Sequence, residues 1–184
     1  MKKGFLFLAL LLSGLTAGAQ VTLNENGVYE QKEVVTVDGA TATELYNRAV
    51  EGLSDWTGTE GRSKFGIDNQ DKESGTIIYK GKDYLGFRRF HMFAWYIFSD
   101  FTLKIRCKDG RAQVTVTIPS LTAEFSTNGV GGSIPLREIL PEWKYRGNLN
   151  CRKAVLQHVG SVPDSAKKMI LFIKTKLQKE EDDF

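Results

Sequence analysis

Asp109-Gly110 stands between two runs of alternating apolar and polar residues, and that arrangement constrains the fold more than any other feature of the sequence. A two-residue turn of this type joins antiparallel strands and favours positive φ at its central positions. Closing the chain there pairs Cys107 with Ala112, Ile105 with Val114 and Leu103 with Val116. All six then share one face, because side chains alternate along a strand and a register slip of one would reverse them. Thr102, Lys104, Arg106 and Lys108 fall on the other face, with Gln113, Thr115 and Thr117. The stretch 99–118 therefore reads as a hairpin with a buried face and a wet one.

The flanking segments supply elements to cover the buried face. Residues 28–37 read as a strand, with β-branched residues gathered at the end. After Asp38-Gly39, Thr41 and Glu44 have capping-box spacing and open a helix. Leu45, Ala49 and Leu53, with Tyr46 and Val50 beside them, form its apolar stripe, and Gly52 with Thr57-Gly58 ends it near Trp56. Two short strands are expected around 63–68 and 75–80, joined by the polar run 68–73. The stretch 121–160 is broken by Gly129, Gly131, Gly132, Pro135 and Pro141 and reads as irregular, with a brief helix at 150–158. A final helix begins after Ser161, with Pro163 in its first turn and Met169, Ile170, Phe172, Ile173 and Leu177 as its stripe; an acidic tail, Glu180 to Asp183, follows. The order β-α-β-β-β-β-α describes an α+β fold, an antiparallel sheet with helices packed on one face.

Several of these segments resemble a known family. Val34-Val35-Thr36-Val37-Asp38-Gly39, Glu44-Leu45-Tyr46 with Arg48-Ala49, and Lys108-Asp109-Gly110-Arg111 are similar, in order and spacing, to exported bacterial proteins classed as a domain of unknown function with a TATA-binding-protein-like (TBP-like) fold. The resemblance covers about 28–120. It implies the fold and an address in the cell envelope, and it brings no catalytic residues.

The start of the chain agrees with export. Met1-Lys2-Lys3 is basic, Gly4 to Leu12 is almost wholly apolar, and Ala17-Gly18-Ala19 offers the small residues of a cleavage site. Residues 1–19 are thus expected to be a cleaved signal peptide, leaving 20–184 as a single domain: a family-like core about 28–120, the irregular segment 121–160 and the closing helix 161–179. The apolar run is too short to span a bilayer, and no cysteine lies at its end to carry a lipid. Cleavage leaves 23 basic and 22 acidic residues, a net +1 against +3 for the whole chain. That balance gives no basis for nucleic-acid binding, which needs a clear positive excess on one surface. The expected location is periplasmic or secreted. Cys107 and Cys151 would meet an oxidising compartment, where they either pair or remain two small buried hydrophobes.

Catalytic patterns are missing from the sequence. His91 and His158 lie in no spaced metal motif, no serine occupies a G-x-S-x-G elbow, and no glycine loop precedes Lys-Ser or Lys-Thr. Asn128 to Ser133 is glycine-rich and reads as a connector, and Cys107 points into the core. The expectation is a protein that is not an enzyme and needs no cofactor or metal.

The aromatic stretch 84–98 is the unusual feature: seven of its fifteen residues are Phe, Tyr or Trp. The hairpin phase carried backward puts Phe93, Trp95 and Ile97 on the core face and Met92, Ala94, Tyr96 and Phe98 on the other. A strand apolar on both sides must be covered on both or expose a sticky patch. Either 121–160 folds over it, or Met92, Tyr96 and Phe98 bind a partner, with Arg88-Arg89 as a basic rim. The functional expectation is a non-catalytic exported envelope protein that binds an envelope protein or surface component. The alternative is a carrier of a small apolar ligand held between sheet and helices. A hydrolase would need carboxylates or hydroxyls converging in a pocket. The row Lys104, Arg106, Lys108 suits an anionic envelope component better than a nucleic acid.

Overall fold

A computed structural model of the chain describes residues 21–56, 64–127, 129, 131–140 and 148–179. The expected signal peptide, the Thr57-Gly58 helix stop, Pro141 and the acidic tail lie outside the described residues. Six strands, β1 (Tyr29–Thr36), β2 (Lys64–Asp71), β3 (Thr76–Phe90), β4 (Phe93–Lys108), β5 (Arg111–Phe125) and β6 (Gly131–Pro135), form one antiparallel sheet. Its order is β1-β5-β4-β3-β2, and β6 pairs with the distal half of β5. Four helices accompany it: α1 (Ala42–Ser54), α2 (Leu136–Ile139), α3 (Leu149–His158) and α4 (Val162–Gln178).

The hairpin at Asp109-Gly110 has the expected register: Cys107 opposes Ala112, Ile105 opposes Val114 and Leu103 opposes Val116. All six are buried, while Lys104, Arg106 and Lys108 are exposed. Only Gly110 takes positive φ (73°), so the turn differs from the expected kind. Asp109 instead uses its carboxylate to accept the amide of Ala42 at 2.8 Å, and the Gly110 amide donates to the Ala40 carbonyl at 2.8 Å. These bonds dock the hairpin turn onto the start of α1.

The capping box that the sequence suggests for α1 is formed. The Glu44 amide donates to Thr41 Oγ1 at 3.2 Å, and the Thr41 amide donates to Glu44 Oε2 at 2.6 Å. Thr41→Ala removes one of these partners and is expected to cost about 1 kcal/mol, read from chemical denaturation. Leu45, Ala49 and Leu53 of α1 and Met169, Ile170, Ile173 and Leu177 of α4 are buried against the inward side chains of β3, β4 and β5. Burial of these stripes on one sheet face is what holds the two layers together.

Two expectations are corrected in detail. β3 is not a short strand at 75–80 but runs fifteen residues, and with β4 it forms a long arm closed by His91-Met92. The irregular stretch 121–160 contains more regular structure than its glycines and prolines suggest: the end of β5, the strand β6, the short α2, and α3 at 149–158 where a brief helix was expected. Gly131 and Gly132, read as part of a connector, belong to β6, where they oppose Glu124 and Ala123.

Candidate functional site

The aromatic stretch 84–98 is thus two strands facing each other, with a turn between them. Phe90 pairs with Phe93, Arg89 with Ala94, Arg88 with Trp95 and Phe87 with Tyr96. Leu85 is an extra residue in β3: Tyr84 opposes Phe98, and Gly86 already opposes Ile97. A bulge of this kind lets residues three apart share a face. Tyr84 and Phe87 therefore lie together with Tyr96 and Phe98 on the face away from the helices. The rings follow one another, 5.6 Å between Tyr84 and Phe98, 6.4 Å between Tyr84 and Tyr96, and 6.2 Å between Phe87 and Tyr96. On the helix-side face, Phe125 stacks against Phe93 at 5.4 Å and Trp95 at 5.0 Å. Both faces of the arm are lined by rings, so the arm is stiffened along its length.

The three sequence-predicted binding residues separate along this arm. Met92 is at the apex and 91% exposed. Tyr96 is half-buried in the middle. Phe98 is only 5% exposed, packed against Tyr84, so it supports the arm from its base and is not an accessible anchor. The accessible apolar residues are instead Phe87 (47%), Phe90 (40%), Met92 and Phe93 (36%). Phe93, which the hairpin phase assigns to the core face, is among these exposed residues and rests on Phe125 instead of entering the core. His91 is exposed beside Met92, with φ of +51°, and its ring meets Phe90 edge-on at 4.7 Å.

Helix α3 braces the arm from the helix side. His158 Nε2 lies 3.2 Å from the Phe87 carbonyl, and Arg88 Nη1 donates to Gln157 Oε1 at 2.9 Å. Gly86 permits this approach: a Cβ there would lie 2.4 Å from His158 Cε1, and its φ is +147°. The buried side of α3, Cys151, Ala154 and Val155, joins the same core as α4. Part of 121–160, helix α3, thus packs on the helix side of the arm. Residues 141–147 of that stretch lie outside the described residues.

Two polar clusters escaped the sequence reading because no motif marks them. On the face away from the helices, Asp100 accepts from Ser120 at 2.6 Å, Thr122 at 2.7 Å and Ser133 at 2.7 Å. This joins β4, β5 and β6 through one carboxylate. No imidazole stands between the hydroxyls and the acid, so the cluster lacks the relay that activates a serine. On the helix-side face, Ser165 of α4 donates to Asp83 Oδ2 at 2.8 Å, and Ser99 Oγ lies 3.3 Å from Ser165 Oγ. All three are buried, which calls for such bonding because an unsatisfied buried carboxylate is costly.

Both cysteines are free and buried. Burial pushes the Cys107 thiol up to about 11 from its ordinary 9.0, and raises Cys151 as well. The neutral form is favoured in the folded state, so the Cys107 contribution to stability is complete below about pH 9 and falls away toward pH 11. Neither thiol is expected to react with iodoacetamide in native protein at pH 8, and both should react after denaturation, as mass spectrometry would count. Between the sheet and α1 and α4, an apolar cavity bounded by Leu53, Trp56, Tyr79, Phe101, Leu103, Met169 and Ile173 measures about 10 Å³, which is space for no more than one water. Among the described residues no group of three or more His, Cys, Asp or Glu could hold a metal ion, and no helix is long and apolar enough to cross a membrane.

This geometry can be set beside known proteins. A TBP-like protein from Parabacteroides distasonis is similar over 88% of this chain and all of its own, with 13% identity and a TM-score of 0.59. A DUF4468 family protein from Bacteroides ovatus is similar over 92% of this chain and 95% of its own, with 15% identity and a TM-score of 0.57. At such identity the likeness speaks for the fold alone. The sequence matches no curated protein. The model of the family described as a domain of unknown function (DUF4468) with TBP-like fold matches residues 32–121, from β1 to the distal part of β5. The α+β sheet-and-helix architecture expected from the sequence is therefore that of a TBP-like fold, and residues 32–121 are similar to the DUF4468 family.

Proposed function

We propose that the protein is an exported, non-catalytic envelope module that binds through the tip of the β3–β4 arm. The observation that carries this reading is the exposure of Phe87, Phe90, Met92 and Phe93 toward the turn end of the β3–β4 hairpin. Keeping that much apolar surface in water is unfavourable, and clustered exposed apolar residues mark interaction sites. Arg88 and Arg89 stand beside them and supply the charge common at such surfaces. Export rests on the basic, apolar and small-residue run of 1–19. It predicts a mature N-terminus at Gln20, which mass spectrometry of envelope fractions would read directly.

Crosslinking of tagged protein in its native envelope tests the arm. The wild type should be captured with a reproducible component, and a Phe90→Ser, Met92→Ser variant should lose most of that capture at unchanged melting temperature. Equal capture by both would remove the arm from the account. A carrier of an apolar ligand is the alternative, and it would have to open the space beneath α1 and α4; lipid co-extracted with the protein would favour it.

A further inference from the structure

β5 accompanies β4 as far as Phe125 opposite Trp95 and Ser126 beside Ala94, so only residues 90–93 of the β3–β4 hairpin extend past it. We propose that the β3–β4 arm inserts its tip into the interface of an anionic lipid bilayer, an inference that rests on the tip being the binding surface. A fluid bilayer moulds around a projection, whereas a protein partner would have to present a matching groove. Phe90, Met92 and Phe93 are the inserting residues, with Met92 foremost.

Charge supports an anionic surface. No acidic residue occurs from Tyr84 to Ser99, while Arg88 and Arg89 are both exposed. Being adjacent in one strand they point to opposite faces of the arm, so a guanidinium flanks each side of the inserted tip. Arg89 and Arg88 lie one and two strand steps behind the last pair, Phe90–Phe93, roughly 3 and 7 Å at the rise of a strand, with the turn beyond. That matches a tip buried roughly 5–10 Å with its basic residues at headgroup depth. Trp95, paired with Arg88, occupies the level at which tryptophan favours the membrane interface.

Helix α3 continues the same character next to the arm. It holds no acidic residue, and Leu149 and Leu156 are exposed two turns apart with Lys153 between them. The Arg88–Gln157 bond fixes the Leu156 end of the helix against the arm.

Flotation of the purified protein with phosphatidylcholine vesicles, with and without phosphatidylglycerol, tests the inference. Binding is expected to the anionic vesicles and to weaken with added salt. Arg88→Gln with Arg89→Gln should reduce it by roughly fivefold per arginine. Phe90→Ser with Met92→Ser should reduce it by roughly tenfold or more and should melt as the wild type does. Arg89→Gln alone, which leaves the Arg88–Gln157 bond in place, should also melt as the wild type does, at its single-arginine reduction in binding. Absence of flotation with anionic vesicles overturns the inference, as does binding that none of these variants changes. If the wild type captures an envelope protein, the tip variant does not, and neither floats, the lipid is wrong and the binding-module reading stands. If the tip variant alters neither capture nor flotation, both fail.

Discussion

Replacing Phe98 by Ala is expected to lower unfolding free energy by about 3–5 kcal/mol, the range for a buried aromatic ring whose site cannot fully collapse. Phe98 is almost wholly buried, and its ring rests on Tyr84 at the base of the arm. The strands around it are held by the Lys82–Glu124 ion pair at 3.4 Å and by the three hydroxyls that Asp100 gathers. That frame leaves little freedom to fill the void. Met92→Ala, by contrast, removes a side chain in water and should stay within about 0.5 kcal/mol of wild type. The pair divides the aromatic stretch into a part that maintains the fold and a part exposed to water. Urea denaturation of both variants checks it; similar losses at the two positions would show that Met92 is also packed.

The second large effect concerns which sheet face is the core. Ile105→Ala should cost about 2–5 kcal/mol, because Ile105 is fully buried in β4 beneath the helices and opposite Val114. Lys104→Ala, one residue away on the exposed face, should change stability by no more than about 0.5 kcal/mol. The contrast depends on the register alone. If Lys104→Ala were the costly change, the helices would lie on the other face of the sheet.

That register was legible because Asp109-Gly110 is a turn signal set between alternating runs, and tertiary contacts had nothing to overrule. The same holds for α1, whose Thr41–Glu44 cap and four-residue stripe agree with each other. The arm was not legible as an arm. His91-Met92 is no ordinary turn pair, and the His91 backbone reaches positive φ without glycine. Gly81 lies close over Phe65 of β2, and Gly86 makes room for His158. The bulge at Leu85 then moved Tyr84 and Phe87 onto one face, which strict alternation cannot anticipate. β6 was missed for a related reason: its Gly131-Gly132-Ser133 has poor strand propensity, and its pairing with β5 supplies the order. Asp83, Ser99 and Ser165 meet across sixteen and sixty-six residues of sequence, so their cluster leaves no local pattern.

Of the sequence-predicted binding residues, Met92 remains accessible, Tyr96 is half-buried and Phe98 serves the interior. The accessible set follows the turn rather than the strand phase, because residues 90–93 extend past β5 and Phe93 rests on Phe125 instead of entering the core.

The most direct measurement places a photoreactive side chain at position 92 in one sample and at position 104 in another, each irradiated in the native envelope. Position 92 is the arm apex; position 104 is on the exposed sheet face, in the basic row with Arg106 and Lys108. The account predicts crosslinked envelope material from position 92 and little from position 104. Crosslinks from position 104 with none from position 92 would contradict it and move the binding surface to the sheet.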